Sequence, residues 1–236
     1  SQNAKENISK CIEELNDLRI KKFYFNQLGA AESVLTQDQK DLGVCLIDIG
    51  AGTTDLTVYK GGSIRFSKVF PYAGDYITET IATSLKITST QAEEIKKKYG
   101  CAIINSDPED ILKITGISGN REAEVSRKAL SEVIEKCLTR ILRHCIVCVE
   151  DNGMLSSMPT GYVLTGGTAN LEGVQKLGEE VTKSYFEIGL PEVDMPLNSE
   201  QLIKPQLSSI IGMIKFCALE RNKQFTFNQS RGIIGR

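Results

Sequence analysis

Two acids bracket a glycine turn in the run Asp48-Ile49-Gly50-Ala51-Gly52-Thr53-Thr54-Asp55, a pattern suited to phosphate chemistry. Glycine takes backbone angles closed to other residues. A turn built on Gly50 and Gly52 can therefore bring successive N–H groups to one side and let an anion approach the main chain. A carboxylate binds Mg2+ directly or through its waters, so Asp48 and Asp55 are candidate ligands for a cation that bridges phosphate oxygens. The plainer alternative is a glycine-rich hairpin turn with Asp55 as an ordinary turn residue, because a bare G-x-G pattern is weak evidence.

The elements that must position this turn lie on both sides of it. Val44 to Ile47 is an apolar run, Leu56 to Tyr59 is a second β-rich run, and Gly61-Gly62 mark a hairpin into a third strand. A second glycine bend lies far downstream. Tyr162 to Thr165 reads as a strand, Gly166-Gly167-Thr168 as its turn, and a helix is expected from about Leu171. Glycines there let a flat ligand lie against the backbone, and a helix N-terminus carries partial positive charge.

A chain of 236 residues can bury the core of one large domain or two modest ones. Its net charge of −2 gives no general attraction to nucleic acid or anionic lipid. Seven cysteines, an odd number spread over apolar stretches, fit reduced core thiols and a cytosolic compartment better than a disulfide framework. His144, Cys145 and Cys148 offer at most three metal ligands on different helix faces, so core thiols are the better account of them. No apolar run approaches the roughly 20 residues of a membrane span, and there is no signal-peptide pattern.

The remaining periodicities supply helices. One is expected over Asn3 to Leu18, followed by a strand over Ile20 to Leu28 and a small-residue helix from Gly29. Another starts at Asp75. A third spans Thr88 to Gly100, with a capping box from Thr90 to Glu93 and a default i, i+3 surface pair of Glu93 with Lys96. The longest runs from about Glu122 to Val149 and exposes Arg127, Lys128, Lys136, Arg140 and Arg143, ordinarily a solvated face. Turns are expected at Asn105 to Pro108 and Gly119-Asn120, a loop over Glu187 to Pro205, a last helix over Ser208 to Leu219, and a polar tail from Arg221 to Arg236.

D-I-G-A-G-T-T-D-L with its K-G-G hairpin resembles the second phosphate loop of the actin, Hsp70 and sugar-kinase ATPase superfamily, and V-L-T-G-G-T-A-N-L resembles its adenosine motif. Within that superfamily P-Y-A-G-D (Pro71 to Asp75) and A-E-x-x-K-x-x-Y-G (Ala92 to Gly100) are similar to the FtsA family of actin-like bacterial cell-division proteins. The resemblance implies an α/β fold, an RNase H-like actin lobe whose mixed sheet is flanked by helices, with a smaller α+β subdomain inserted. Residues 1–74 and 136–236 would form subdomain IIA and 75–135 subdomain IIB, with the first lobe (IA and IC) absent from this chain.

The cofactors implied are ATP and Mg2+. Gly50, Ala51, Gly52, Thr53, Thr54, Gly166, Gly167 and Thr168 would cradle the nucleotide, Glu93 and Lys96 would contact ribose and adenine, and Asp48 and Asp55 would serve the metal. Arg127, Lys128, Lys136 and Arg140 would belong to a groove for the C-terminal peptide of the tubulin-like ring protein FtsZ. Cys137 stands where relatives can carry an arginine. Other divisome proteins and self-association into actin-like filaments are implied as well, at the inner face of the cell membrane at the division site. Membrane contact would come through a C-terminal amphipathic helix that is absent or truncated here. Many members place a water-orienting acid where this chain has Asn26, and an amide is no general base. At most weak ATPase activity is therefore expected of the intact protein and none of this chain alone. An ATPase or kinase of the same superfamily, or a pilus-assembly or cell-shape actin homologue, is the alternative reading.

Overall fold

β1 (Val44–Ile49) is buried at every residue, which is what a continuous apolar run produces when helices cover both faces of a sheet. It lies at the centre of five strands in the order β3-β2-β1-β6-β7, with β2 at Thr54–Lys60, β3 at Ser63–Phe70, β6 at Tyr162–Thr165 and β7 at Phe186–Ile188. β1, β2 and β3 pair antiparallel, whereas β1–β6 and β6–β7 are parallel. The computed structural model describes residues 2–15, 18–20, 22–104, 110–115, 122–193 and 201–219. The expected turns at Asn105 to Pro108 and Gly119-Asn120, and the tail from Arg221, lie outside them.

The β2–β3 turn shows how locally the sheet is specified. Gly61 and Gly62 stand at φ +60° and +68° between the paired Lys60 and Ser63, a two-residue hairpin of the kind that needs positive φ at both positions and whose twist matches the strands.

Strand alternation divides the core into two layers. Cys45, Ile47 and Ile49 face a large cluster with α4 (Gly74–Leu85), α5 (Ser89–Tyr99), α6 (Arg127–Asp151) and α7 (Val174–Thr182), including Ile77, Ile81, Leu138 and Leu142. Val44 and Leu46 face a smaller cluster with Ala30 and Ala31 of α2 (Asn26–Val34). A separate two-stranded sheet pairs β4 (Ile111–Thr115) with β5 (Glu122–Ser126). α1 spans Gln2–Glu13, α3 spans Gln37–Leu42, and a last helix, α8, runs over 208–219.

Several expected boundaries move. Among the described residues of the strand expected over Ile20 to Leu28 none is in a strand; its last residues are already helical, because α2 begins at Asn26. The small residues behind it are used for close packing. A Cβ at Gly29 would lie 2.6 Å from the Ser209 carbonyl oxygen, and one at Gly212 would lie 1.7 Å from the Gly29 oxygen, so α2 and α8 cross backbone to backbone. α1 stops five residues short of Leu18. The cap of α5 is Thr88 with Gln91, both halves of the box formed, in place of Thr90 with Glu93; Glu93 is drawn instead toward Lys96 and Thr78. The long helix loses its first five residues, Glu122–Ser126, to β5, whose pairing with β4 outweighs local helical periodicity. After β6 a 3-10 turn (Gly167–Asn170) precedes α7, and β7 occupies part of the expected loop from Glu187.

Candidate functional site

Asp48 pairs with Asp55 across β1–β2 and with Thr165 across β1–β6. Because β1 and β6 are adjacent and parallel, the bends that follow them leave the sheet at the same end. This is where ligands bind in open α/β sheets, outside the carboxyl ends of the strands. The first bend is closed by the Gly50 N–H donating to the Thr53 carbonyl at 3.0 Å. The N-terminus of α4 is then laid against it, with Gly74 N–H donating to Gly50 O at 3.0 Å and Asp75 N–H to Ala51 O at 2.8 Å. The positive end of a twelve-residue helix thus adjoins the glycine turn.

Gly166 makes the two bends touch. It sits at φ +88°, and a Cβ there would lie 2.4 Å from Asp48 Oδ1 and 2.5 Å from the Ile49 oxygen. Only glycine fits this position. Gly167 is the opposite case, since a Cβ built on it meets nothing within 4 Å.

Between the bends lies a cleft of about 490 Å³, lined by Gly50 and Ala51, Gly74 and Asp75, Glu93, Lys96 and Lys97 of α5, Gly167, Thr168, Asn170 and Leu171, and Gln206. That volume is in the range of small-ligand and cofactor sites. Of the residues singled out by sequence, Gly50, Ala51, Glu93, Lys96, Gly167 and Thr168 share this cleft, with Gly166 packed behind it. Gly52 and Thr53 are exposed at the turn's outer edge, and the Thr53 hydroxyl donates to the Asp55 carboxylate at 3.1 Å. Thr54 is buried and turned away, donating to the Tyr72 carbonyl at 2.6 Å.

Lys96 is almost completely buried, and its ammonium donates to Gly74 O at 3.0 Å and Thr78 Oγ1 at 2.7 Å while pairing with Glu93. Three acceptors match its three N–H groups. Lys96 thereby ties α5 to the first turn of α4, which itself holds the glycine turn. Burial alone would raise the Glu93 pKa, but hydrogen bonds from Lys96, Thr78 and Lys97 hold it at about 2. Glu93 therefore presents an anionic acceptor to the cleft.

Asp48 and Asp55 form a carboxylate pair at the base of the turn. Burial pushes the Asp48 pKa from 3.8 up to about 6; a hydrogen bond from Ser209 (3.2 Å) opposes this and the Asp55 charge adds to it. Burial also raises Asp55. Two facing carboxylates that resist ionising fit a divalent cation, whose charge would relieve both burial and repulsion. A pair is enough for Mg2+, which keeps several waters and takes its other ligands from phosphate.

The basic residues of α6 do not form one surface. Arg127 is engaged with Asp110 at 3.3 Å and Glu172 at 3.7 Å, and Lys128 beside it is partly buried. Lys136 and Arg140 lie about two and a half and three and a half turns further on, along an open groove of about 650 Å³ shared with Glu135, Arg143 and His144. Arg140 also stacks over the Tyr76 ring at 6.0 Å.

Sequence reasoning missed Gly74, Asp75, Lys97, Asn170, Leu171 and Gln206 as cleft residues. Gly74 and Asp75 lie in the P-Y-A-G-D run, a signal that marked a family without a role. Asn170 and Gln206 bond each other at 2.8 Å across 36 positions, a contact no local pattern announces.

The fold and the paired glycine bends define an actin-like ATPase fold. MreB5 of Spiroplasma citri bound to ADP superposes with a TM-score of 0.77 at 20% identity, covering 95% of this chain and 68% of that one. The type IV pilus biogenesis complex PilM-PilN matches with a TM-score of 0.61 at 19% identity, over 81% and 51%. Within that class the family model described as cell division protein FtsA matches residues 45–212, and the chain belongs to the FtsA family. The cell division protein FtsA of Pseudomonas aeruginosa is 38% identical over 190 residues, covering 80% of this chain and 45% of that protein. That of Escherichia coli K12 is 33% identical over 221 residues, covering 89% and 52%. The chain spans about half the length of these relatives.

Proposed function

We propose that the chain acts as the nucleotide-binding lobe of a cell-division adaptor, holding ATP with Mg2+ in the cleft between the two glycine bends. Residues 1–74 and 136–236 serve as subdomain IIA and 75–135 as subdomain IIB. The observation that carries this reading is the pairing of Asp48 with Thr165 on adjacent parallel strands, which brings Gly50–Thr53 and Gly166–Thr168 to one end of the sheet. MreB5 in complex with ADP and with AMPPNP, and MamK in complex with AMPPNP, support nucleotide as the ligand class.

In this account the phosphates would rest on the Gly50–Thr53 turn and the first turn of α4, Asp48 and Asp55 would hold Mg2+, and adenosine would lie against Gly167 and Thr168. Glu93 accepts from the ribose, while Lys96 braces the wall. The metal, when bound, supplies charge neutralisation for the phosphates. The adaptor role is part of this proposal, and FtsA membership supports it: the protein would link the FtsZ ring to the inner face of the cytoplasmic membrane at the division site, self-associate into filaments and meet other divisome proteins. The groove at Lys136 and Arg140 receives the FtsZ C-terminal peptide. FtsA membership favours this over a small-molecule kinase, a pilus-assembly protein or a cell-shape actin, which share only the fold.

Gly167→Val is the direct test, because the backbone there has ordinary angles and open space in front of it. The variant is expected to keep its melting temperature while losing ATP affinity by at least about tenfold, since the added side chain projects into the cleft without disturbing the core. Unchanged ATP affinity in a folded variant would remove the adenosine site from this bend.

A further inference from the structure

α8 is an outlying element by sequence, more than 150 residues downstream of the glycine turn, yet its N-terminus is fixed with unusual redundancy. The Ser208 hydroxyl is hydrogen-bonded to the Thr165 hydroxyl at 2.7 Å and donates to the Pro205 carbonyl at 2.8 Å. The Ser208 carbonyl accepts from the Ser33 hydroxyl of α2 at 2.7 Å. The Gly166 N–H donates to the Pro205 carbonyl at 3.2 Å. The backbone crossing at Gly29 and Gly212 leaves no room for α8 to slide. The next residue, Ser209, is thereby held at one place, and its hydroxyl donates to Asp48 Oδ2 at 3.2 Å. The other carboxylate oxygen, Oδ1, lies at the start of the glycine turn, where a Cβ on Gly166 would come within 2.4 Å of it and within 2.5 Å of the Ile49 oxygen, so only glycine can stand beside it.

We infer that Ser209 is a positioning residue for the cation site: by holding Asp48 Oδ2 from α8 it aims Oδ1 at the base of the glycine turn, where Mg2+ or its water would be met. This rests on the reading of the cleft as an ATP–Mg2+ site. The physical reason is preorganisation. A carboxylate on a strand end rotates about its own bonds, and a donor fixed by an independently anchored helix selects one orientation before the cation arrives. A hydrogen bond to a charged group is among the stronger ones. Its loss would be felt where Asp48 has work to do, in the cation-dependent part of nucleotide binding, and not in the contacts made by the two glycine bends.

The experiment measures ATP affinity in excess Mg2+ and in EDTA for the unsubstituted chain, Ser209→Ala and Ser209→Thr, with thermal melts confirming that all three fold. The quantity read is the Mg2+ enhancement, the ratio of the two affinities. Ser209→Ala is expected to lower the enhancement about tenfold with little change in EDTA, and Ser209→Thr, which keeps the hydroxyl, to restore most of it. Full enhancement in Ser209→Ala would overturn the inference. So would an equal loss in Mg2+ and EDTA, which would mark Ser209 as merely structural. ATP binding absent from the unsubstituted chain in both conditions, or unaffected by Mg2+, would instead remove the nucleotide and metal reading itself, and the role of Ser209 with it.

Discussion

Asp48 carries opposite instructions for stability and for binding. Its carboxyl is pushed up to about 6, by burial first and by Asp55 as well, against the help of Ser209. The unfolded chain would ionise it near 3.8, so between about pH 4 and 6 the folded state holds the extra proton and stability falls as pH rises. Above about pH 6 the full cost remains, at most about 3 kcal/mol for a two-unit shift. Asp48→Asn removes the charge while keeping the shape. Without metal at pH 7.5 it is expected to melt a few degrees higher than the unsubstituted chain, and to lose the Mg2+ enhancement of ATP binding. A lower melting temperature would show that the buried carboxylate is stabilised by something other than the groups named here.

At the scale of elements, the two ends of α6 meet different surroundings. Its buried stripe, Leu130, Ile134, Leu138, Ile141 and Cys145, recurs every three or four residues and anchors the large core. Arg127 at its start is drawn into pairs with Asp110 and Glu172, whereas Lys136 and Arg140 face the open groove. If the groove serves the proposed FtsZ peptide, reversing both charges, Lys136→Glu with Arg140→Glu, is expected to weaken that peptide's binding by about tenfold or more at low salt, an effect that shrinks as salt rises because the site is exposed. Arg127→Ala is expected to act mainly on stability. Peptide affinity that follows Arg127 and ignores the double reversal, measured by fluorescence anisotropy, would move the groove to the other end of α6.

Over the whole molecule, what was legible in the sequence was whatever is local. β1 and β2, the hairpin at Gly61-Gly62 and the strand before Gly166 are each announced within a few residues, by apolar runs and by glycines that the turn geometry requires. What escaped was set by distant contacts. Asn26 and Gln27 read as the end of a strand because nothing nearby shows that Gly29 must meet Gly212 of α8. Glu93 read as half of a cap until α4 supplied Thr78. Gln206 and Ser209 carry no local signal, because their partners Asn170 and Asp48 are 36 and 161 positions away. The glycine bends themselves could be named from sequence, but that they face one space depends on β1 and β6 being neighbours.

That shared space is best tested by following backbone amide resonances while ATP and Mg2+ are added. Shifts are expected at both Gly50–Thr53 and Gly166–Thr168, saturating together at one nucleotide concentration. Shifts at a single bend, or confined to the groove along α6, would contradict a common nucleotide cleft.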